Sequence, residues 1–417
     1  MASDLAGTPV TGLRAWICGD AHLDNFGGFA TPERRVIFDL NDFDETMEGP
    51  WEWDIKRLVV SIVVAGRCTG LSDNACRRAA NACLGTYRER MQDLTYAPFL
   101  DTWYSRLDAA DAVEQFDDQR MVERATRKAL QRTNIGTLPV LAEEVAGSYR
   151  LADDPPLMSH NTQSLGNRFP DAWSSYRTSL AVDRRALLDR YHVVDVARKV
   201  VGVGSVGLRC FVTLLLGNSD GDPLFLQLKE ARPSVLEPFL AKSSFENNGM
   251  RVVSGQRILQ AASDLFLGWT HAGRVDYYVR QLRDMKFGVP TSKLAASDLT
   301  TYGAMCSWSL ARAHACSGDP AKISGYLGSG RQFDRAVVAF DGDRLVVSDL
   351  DSLTYVANLA TIPLHVWGSR LADLPHPDWC ILDLDPKGAP FRDVVRIARE
   401  IEALCRDIEM PAFLKTS

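Results

Sequence analysis

Two short acidic segments near the start of the chain constrain its fold more than any other feature. The first is Cys18-Gly19-Asp20-Ala21-His22-Leu23-Asp24-Asn25-Phe26-Gly27, and the second is Val36-Ile37-Phe38-Asp39-Leu40-Asn41-Asp42-Phe43-Asp44-Glu45. Asp39 and Asp42 follow Asn25 by 14 and 17 residues, directly behind the apolar run Val36-Ile37-Phe38. That is a strand–turn–strand distance, and a hairpin of this length brings both acidic segments to one end. The grouping suits phosphoryl transfer, in which one Asp orients a hydroxyl and accepts its proton while an Asn and a second Asp hold Mg²⁺ against phosphates. Mg²⁺ is a hard cation that takes oxygen ligands, so Asp and Asn fit it. Gly-Asp and Asn-Phe-Gly are also ordinary turn signals, and acidic residues behind a strand often cap the next helix. A lone D-x-x-x-x-N would mean no more than that; the second cluster at hairpin distance favours the chemistry.

At 417 residues the chain is long enough for two or three domains with real cores. With 46% apolar and 24% charged residues it has the composition of a soluble globular protein. A net charge of -6 argues against coating nucleic acid through bulk electrostatics, although a local basic groove remains compatible with it. No apolar run approaches the roughly 18 residues of a membrane span, and Met-Ala-Ser-Asp-Leu-Ala-Gly-Thr is no export signal. The nine cysteines are scattered, with no C-x-x-C pair, as in reduced cytoplasmic proteins without a zinc site. The seven histidines are equally dispersed and none has metal-binding spacing.

Residues 1–48 read as short strands and turns. From Trp51 to about Thr95 the pattern is helical, with Ser72 or Asp73 as the N-cap of a second helix. Residues 96–190 read as charged helices broken near Pro155-Pro156, and helical patterning returns at Gln256–Leu267 and Thr300–Cys316. Between them, from Val193 to Glu230, the runs are strand-like and separated by glycines. Here Gly202, Gly204 and Gly207 form G-x-G-x-x-G, whose backbone N–H groups can approach phosphates closely. A dinucleotide-binding turn would continue from Gly207 into a helix. This one continues into the β-branched and aromatic run Leu208–Leu216, the turn Gly217-Asn218-Ser219-Asp220-Gly221-Asp222, and the strand Leu224–Glu230. Strand, glycine loop, strand, turn and strand with a lysine is the ATP-grasping hairpin of the kinase fold, with Lys229 where the phosphate-pairing lysine belongs. No glutamate is singled out as its partner among Glu230, Glu237 and Glu246.

With these residues in hand, residues 1–340 resemble an uncharacterised bacterial family recognised by G-D-A-H-x-x-N-F-G, F-D-x-N-D-F-D-E and G-P-x-E-W-D-x-K-R-L. That family is grouped with protein-kinase-like and aminoglycoside-phosphotransferase-like folds. The match is close at Gly19–Gly27, Phe38–Glu45 and Gly49–Leu58. The resemblance implies Asp20 as the catalytic Asp, Asn25 as one Mg²⁺ ligand, Asp39 or Asp42 as the other, and Asp54 as the buried aspartate supporting the catalytic loop. Asp39 is favoured over Asp42 because it stands at the strand end, nearer Asn25 in sequence. The catalytic loop precedes the glycine loop, the reverse of ordinary kinases, so the resemblance implies a circular permutation. Little precedes Gly19, as though the chain began inside the family's N-terminal region.

The region after Asp341 is rich in Asp, Pro and Trp. Tyr355–Trp367, Pro377-Asp378-Trp379 through Pro390-Phe391, and Lys415-Thr416-Ser417 resemble the polymerase domain of bacterial ligase D, an archaeo-eukaryotic-primase-type nucleotidyltransferase of non-homologous end joining. In that family a D-x-D pair, here Asp383 and Asp385, binds catalytic metals, Mg²⁺ or Mn²⁺. The chain stops before the family's nucleotide motif and third metal-binding Asp, so the resemblance implies a truncated segment without polymerase activity.

The fold class expected is α+β, a permuted protein-kinase-like two-lobe fold followed by a partial primase-type α/β fragment. Its regions are 1–192 (catalytic loop and helices), 193–290 (glycine loop and lysine strand), 291–340 (returning helices) and 341–417 (polymerase segment). The function expected is ATP- and Mg²⁺-dependent transfer of phosphate to an unidentified hydroxyl acceptor, in the cytoplasm and away from membranes. DNA would be a partner only through the C-terminal segment. The alternatives are a DNA-repair-associated relic of an end-joining polymerase fused to a non-catalytic module, or an inactive gene-fusion fragment.

Overall fold

The computed structural model describes most of residues 2–337; 161–164, 201–207, several positions between 114 and 132 and a few isolated ones are not described, nor is 338–417. Gly202, Gly204, Gly207, Asp383 and Asp385 therefore lie outside the described residues. The fold is α+β.

Strand β1 (Arg14–Ile17) leads into a turn and a short 3₁₀ segment, Leu23–Asn25. Strands β2 (Phe26–Ala30) and β3 (Val36–Leu40) then form an antiparallel hairpin, with Phe26 opposite Leu40 and Gly27 opposite Asp39. β4 (Met47–Pro50) returns to pair with β1, and β5 (Leu107–Asp108) adds to β3. The chain before β1 and the chain after β3 are thus brought together, as the spacing of the two acidic segments requires.

Pro50 leads directly into the helix Trp51–Cys68, whose broad apolar face accounts for its burial. The next helix, Asp73–Tyr96, starts at Ser72, whose side chain accepts from the Ala75 amide at 3.3 Å. A third long helix, Ala296–Ala315, packs against both. Trp51 stacks on Tyr87 with ring centroids 5.5 Å apart, and the Tyr302 hydroxyl donates to the carbonyls of Leu23 and Phe26 at 2.9 and 3.1 Å. Aromatic bodies fill this core, and their polar tips hold the loops above it.

After the hairpin of β6 (Ala142–Val145) and β7 (Ser148–Leu151), the middle of the chain builds a six-stranded antiparallel sheet. Its strands are β8 (Met158–Ser159), β9 (His192–Lys199), β10 (Cys210–Leu216), β11 (Pro223–Ala231), β12 (Gly268–Ala272) and β13 (Val275–Gln281), in the order β12-β13-β11-β10-β9-β8. Every residue of β10 and β11 is buried, because both faces of the sheet are covered. Phe211, Leu215, Leu226 and Leu228 join one apolar cluster, while Val212, Leu214, Leu216 and Phe225 join another. Period-two alternation divides them between the faces.

The helix expected over Gln256–Leu267 instead spans Asn248–Leu259, capped by the Asn247 side chain on the Met250 amide at 2.9 Å. It ends where Gln260 turns away to donate to the Leu40 carbonyl at 2.6 Å. The 96–190 region is less helical than its charge pattern suggests, since it contains the β6–β7 hairpin. Contacts from the sheet half to the N-terminal hairpin include the paired backbone groups of Gly28 and Phe287, both at 2.9 Å. A Cβ on Gly28 would sit 1.9 Å from the Phe287 ring, so only glycine permits this approach.

Candidate functional site

The turn after β1 is held from below by Asp54, the fourth residue of the 51–68 helix, which is 1% exposed. Its carboxylate accepts the amides of Cys18 at 2.6 Å and Gly19 at 2.9 Å. His314 Nε2 lies 3.3 Å from Asp54, and the Tyr87 hydroxyl lies 2.7 Å from His314 Nδ1. One neutral tautomer satisfies both contacts: Tyr87 donates to Nδ1, and Nε2–H donates to Asp54. Gly19 adopts φ +84°, and a Cβ there would lie 2.5 Å from the Glu45 carbonyl oxygen. The turn therefore needs glycine both for its conformation and for its closeness to the second acidic segment.

This support leaves the Asp20 side chain 36% exposed. Arg57, one helical turn beyond Asp54, donates from Nε to Asp20 Oδ1 at 2.8 Å. His22 Nε2 stands 3.6 Å from the other oxygen. Burial, with the nearby Arg57 charge, holds His22 below the ordinary histidine range although Asp20 opposes it. The Asn25 Nδ2 group donates to the Asp20 carbonyl at 2.7 Å, which fixes the side chain of Asn25 across the turn.

The second acidic segment meets this turn. The Asn41 amide donates to the Asn25 carbonyl at 2.8 Å, and the Cys18 thiol to the Asp42 carbonyl at 3.1 Å. Asp39, favoured by spacing as the metal ligand, is turned into the interior. It is 2% exposed, and its oxygens accept the amides of Leu40 and Ala261 at 2.9 and 2.8 Å. Burial raises its carboxyl above the usual range. Asp42 lies beyond the strand end and keeps 36% of its side chain exposed. Burial pushes the Asp42 carboxyl up, but the Lys229 and Arg280 charges outweigh it and hold it below the usual range.

Lys229, near the end of β11, closes the third side. Its ammonium makes a short ion pair with Asp44 and stands 3.9 Å from Asp42. Burial pulls the amine down, yet Asp42 and Asp44 offset this and keep Lys229 well above the ordinary lysine range. On neighbouring β13, Tyr278 pairs in register with Lys229 and donates its hydroxyl to Asp44 at 2.9 Å. Arg280 donates to Gln227 at 3.1 Å and to the Asn41 carbonyl at 3.4 Å.

Asp20, Asn25, Asp42, Asp54 and Lys229 are thus gathered from sequence separations of up to 209 residues, whereas Asp39 is turned away into the interior. Arg57, Asp44, Tyr278, Arg280 and Arg251, whose guanidinium donates to the Asp44 carbonyl at 2.8 Å, are site or support residues that the sequence reading passed over. Arg57 had a signal, since it follows Asp54 by three residues on one helix face. Asp44 lay inside the acidic segment itself. The other three carry no local mark. Among the described residues no group of three or more His, Cys, Asp or Glu could hold a metal ion, and no helix is long and apolar enough to cross a membrane.

Comparison with known sequences finds two regions. Residues 1–357 match a family described as an uncharacterized protein conserved in bacteria, DUF2252. Residues 335–417 match the LigD primase-polymerase domain. The multifunctional non-homologous end joining protein LigD of Pseudomonas aeruginosa is 28% identical over 173 residues, which is 40% of this chain and 19% of that protein. The chain thus spans about a fifth of the length of that relative. No solved structure matches.

Proposed function

We propose that this chain, which belongs to the bacterial DUF2252 family, is a kinase-like, Mg²⁺-dependent phosphotransferase that moves the terminal phosphoryl of ATP to a hydroxyl acceptor. One observation carries the reading: Asp20, Asn25, Asp42 and Lys229 converge where the loops of the 14–50 strands meet the six-stranded sheet. Further support comes from the lysine's place on the third strand of a β9–β10–β11 antiparallel run, with the glycine sequence between the first two strands. The turn carrying Asp20 comes before the lysine sheet in the chain, so the reading entails a permuted kinase-like fold.

The donor set fits Mg²⁺. Asp42 keeps a partly exposed carboxylate, and Asn25, whose Nδ2 donates to the Asp20 carbonyl, has an amide oxygen as a further oxygen donor. Mg²⁺ commonly takes one or two such protein ligands with substrate phosphates and water. When bound, the metal would neutralise charge on the phosphates during transfer. Asp20 accepts the proton of the acceptor hydroxyl as its oxygen bonds to the γ-phosphorus. The bond from that phosphorus to the bridging oxygen breaks, and ADP departs. Arg57 and the Asp54-bound turn fix the direction of the Asp20 carboxylate, so its reach to the hydroxyl is set before substrate arrives. Lys229 supplies a cation to the phosphates.

Turnover and binding separate the roles. Asp20→Asn should retain ATP binding and lose transfer, because Asp20 serves the hydroxyl. If this variant loses nucleotide binding as completely as Lys229→Ala, the assignment of Asp20 is wrong.

The match over 335–417 favours a second reading for that segment alone, a contribution to DNA end joining through Asp383 and Asp385. Primer extension on a 3′-overhang with Mn²⁺ and nucleoside triphosphates tests it. Addition that disappears in Asp383→Ala plus Asp385→Ala would establish it as an activity of the chain.

A further inference from the structure

Kinase-type sites orient their lysine with a glutamate from the helix that follows its strand. Here that helix, Asn248–Leu259, contains neither Asp nor Glu. Glu230 faces elsewhere, accepting from Arg232 at 2.7 Å and from the Arg209 amide at 2.9 Å. Glu246 is exposed. The helix instead contributes Arg251, 1% exposed, whose guanidinium donates to the carbonyls of Thr46 at 2.5 Å, Asp44 at 2.8 Å and Arg232 at 2.9 Å. The first lies directly behind the acidic segment, the second within it, and the third in the chain just after β11. Arg251 therefore ties the backbone of Asp44 to the end of the lysine strand.

Building on the phosphotransferase reading, we infer that Asp44 is the positioning acid for Lys229, taking the role that a helix glutamate has in ordinary kinase-type sites. The geometry assigns the work in three parts. The Asp44 carboxylate pairs directly with the Lys229 ammonium. Tyr278 donates to its other oxygen at 2.9 Å and so fixes its rotamer. Arg251 fixes its backbone. Asp42 is the second acid near Lys229, but at 3.9 Å and without the Tyr278 tether it is the one left to face a metal. The consequence is a division of labour within three residues: Asp44 serves the lysine and the phosphates, and Asp42 serves the metal. Both stand on one segment, so phosphate and metal recognition are set by the same loop.

The test is nucleotide binding by calorimetry on the full chain, with ADP and ATP, each with Mg²⁺ and with a chelator. Asp44→Asn should weaken binding about tenfold in both conditions and leave the enhancement by Mg²⁺ as in the wild type. Asp42→Asn should lose the enhancement. Tyr278→Phe, which keeps the carboxylate but removes its tether, should show a smaller loss in the Asp44 pattern, and it keeps the test open if Asp44→Asn does not fold. Wild-type affinity in both Asp44→Asn and Tyr278→Phe would overturn the inference alone. So would loss of only the Mg²⁺ enhancement in Asp44→Asn, which would make Asp44 a metal ligand. A wild type that binds nucleotide in neither condition would overturn the phosphotransferase reading and this inference with it.

Discussion

Asp39 and Asp42 stand three residues apart and have opposite surroundings. Asp39 accepts two backbone amides in the interior, whereas Asp42 is partly exposed beside Lys229. Replacing Asp39 by Ala orphans those amides and should cost about 1–3 kcal/mol of stability, since an unsatisfied buried donor loses its full desolvation compensation. Denaturant titration measures that loss, and the Mg²⁺ dependence of nucleotide binding should be unchanged. Asp42→Asn should do the reverse. A titration remote from the cleft gives an independent check on the residues around β9. His160 sits between Asp153 at 2.8 Å and Asp195 at 2.9 Å. Burial lowers its pKa, but the two carboxylates outweigh it and the imidazole is held above the ordinary range. The folded state then binds the proton more tightly than the unfolded chain. The resulting stabilisation is complete below the unfolded value of about 6.5 and is lost as pH rises through the higher folded value. His160→Gln should remove that fall in melting temperature with pH; an unchanged slope would show that the cluster does not form.

At the scale of elements, the Gly19 turn and the Asn248–Leu259 helix act as fixed supports. Gly19→Ala combines φ +84° with a clash on the Glu45 carbonyl, and should cost roughly 1–3 kcal/mol or displace the Asp20 turn. Its melting temperature and its turnover should fall together. The elements that the sequence exposes are those with local signals: the hairpin between the acidic segments, Ser72 as a cap, and the lysine strand after a Gly-Asn-Ser-Asp-Gly-Asp turn. Asp54 is equally legible, through a motif resemblance. The pairing of Lys229 with Asp44 is not, because those residues are 185 apart in sequence and the contact depends on how two sheets approach. Arg251 is hidden for the same reason. In sequence it lies before the helix expected over Gln256–Leu267, and only the fold places it on a helix and buries it beneath three carbonyls. Asp39 misleads because spacing from Asn25 measures distance along the strand, and successive strand residues point to opposite faces.

For the whole molecule, a DUF2252 region and a LigD primase-polymerase match meet in one chain, the two matches overlapping over 335–357. The proposed phosphotransferase site is drawn from residues between Cys18 and Arg280, with support from His314. Asp383→Ala plus Asp385→Ala should therefore leave nucleotide binding unchanged; a large loss would place the C-terminal segment inside the site. The central claim is that the cleft holds a Mg²⁺-nucleotide through Lys229 and Asp42. Its most direct test is the thermal stability of the full chain with ATP and Mg²⁺, wild type against Lys229→Ala. Binding to the folded state alone should stabilise the wild type by RT ln(1 + [L]/Kd), about 2.7 kcal/mol at one hundred times Kd. The rise in melting temperature should shrink when Mg²⁺ is chelated and vanish in Lys229→Ala. A wild type whose melting temperature does not move with saturating ATP and Mg²⁺, or a variant that shifts equally, would contradict the account.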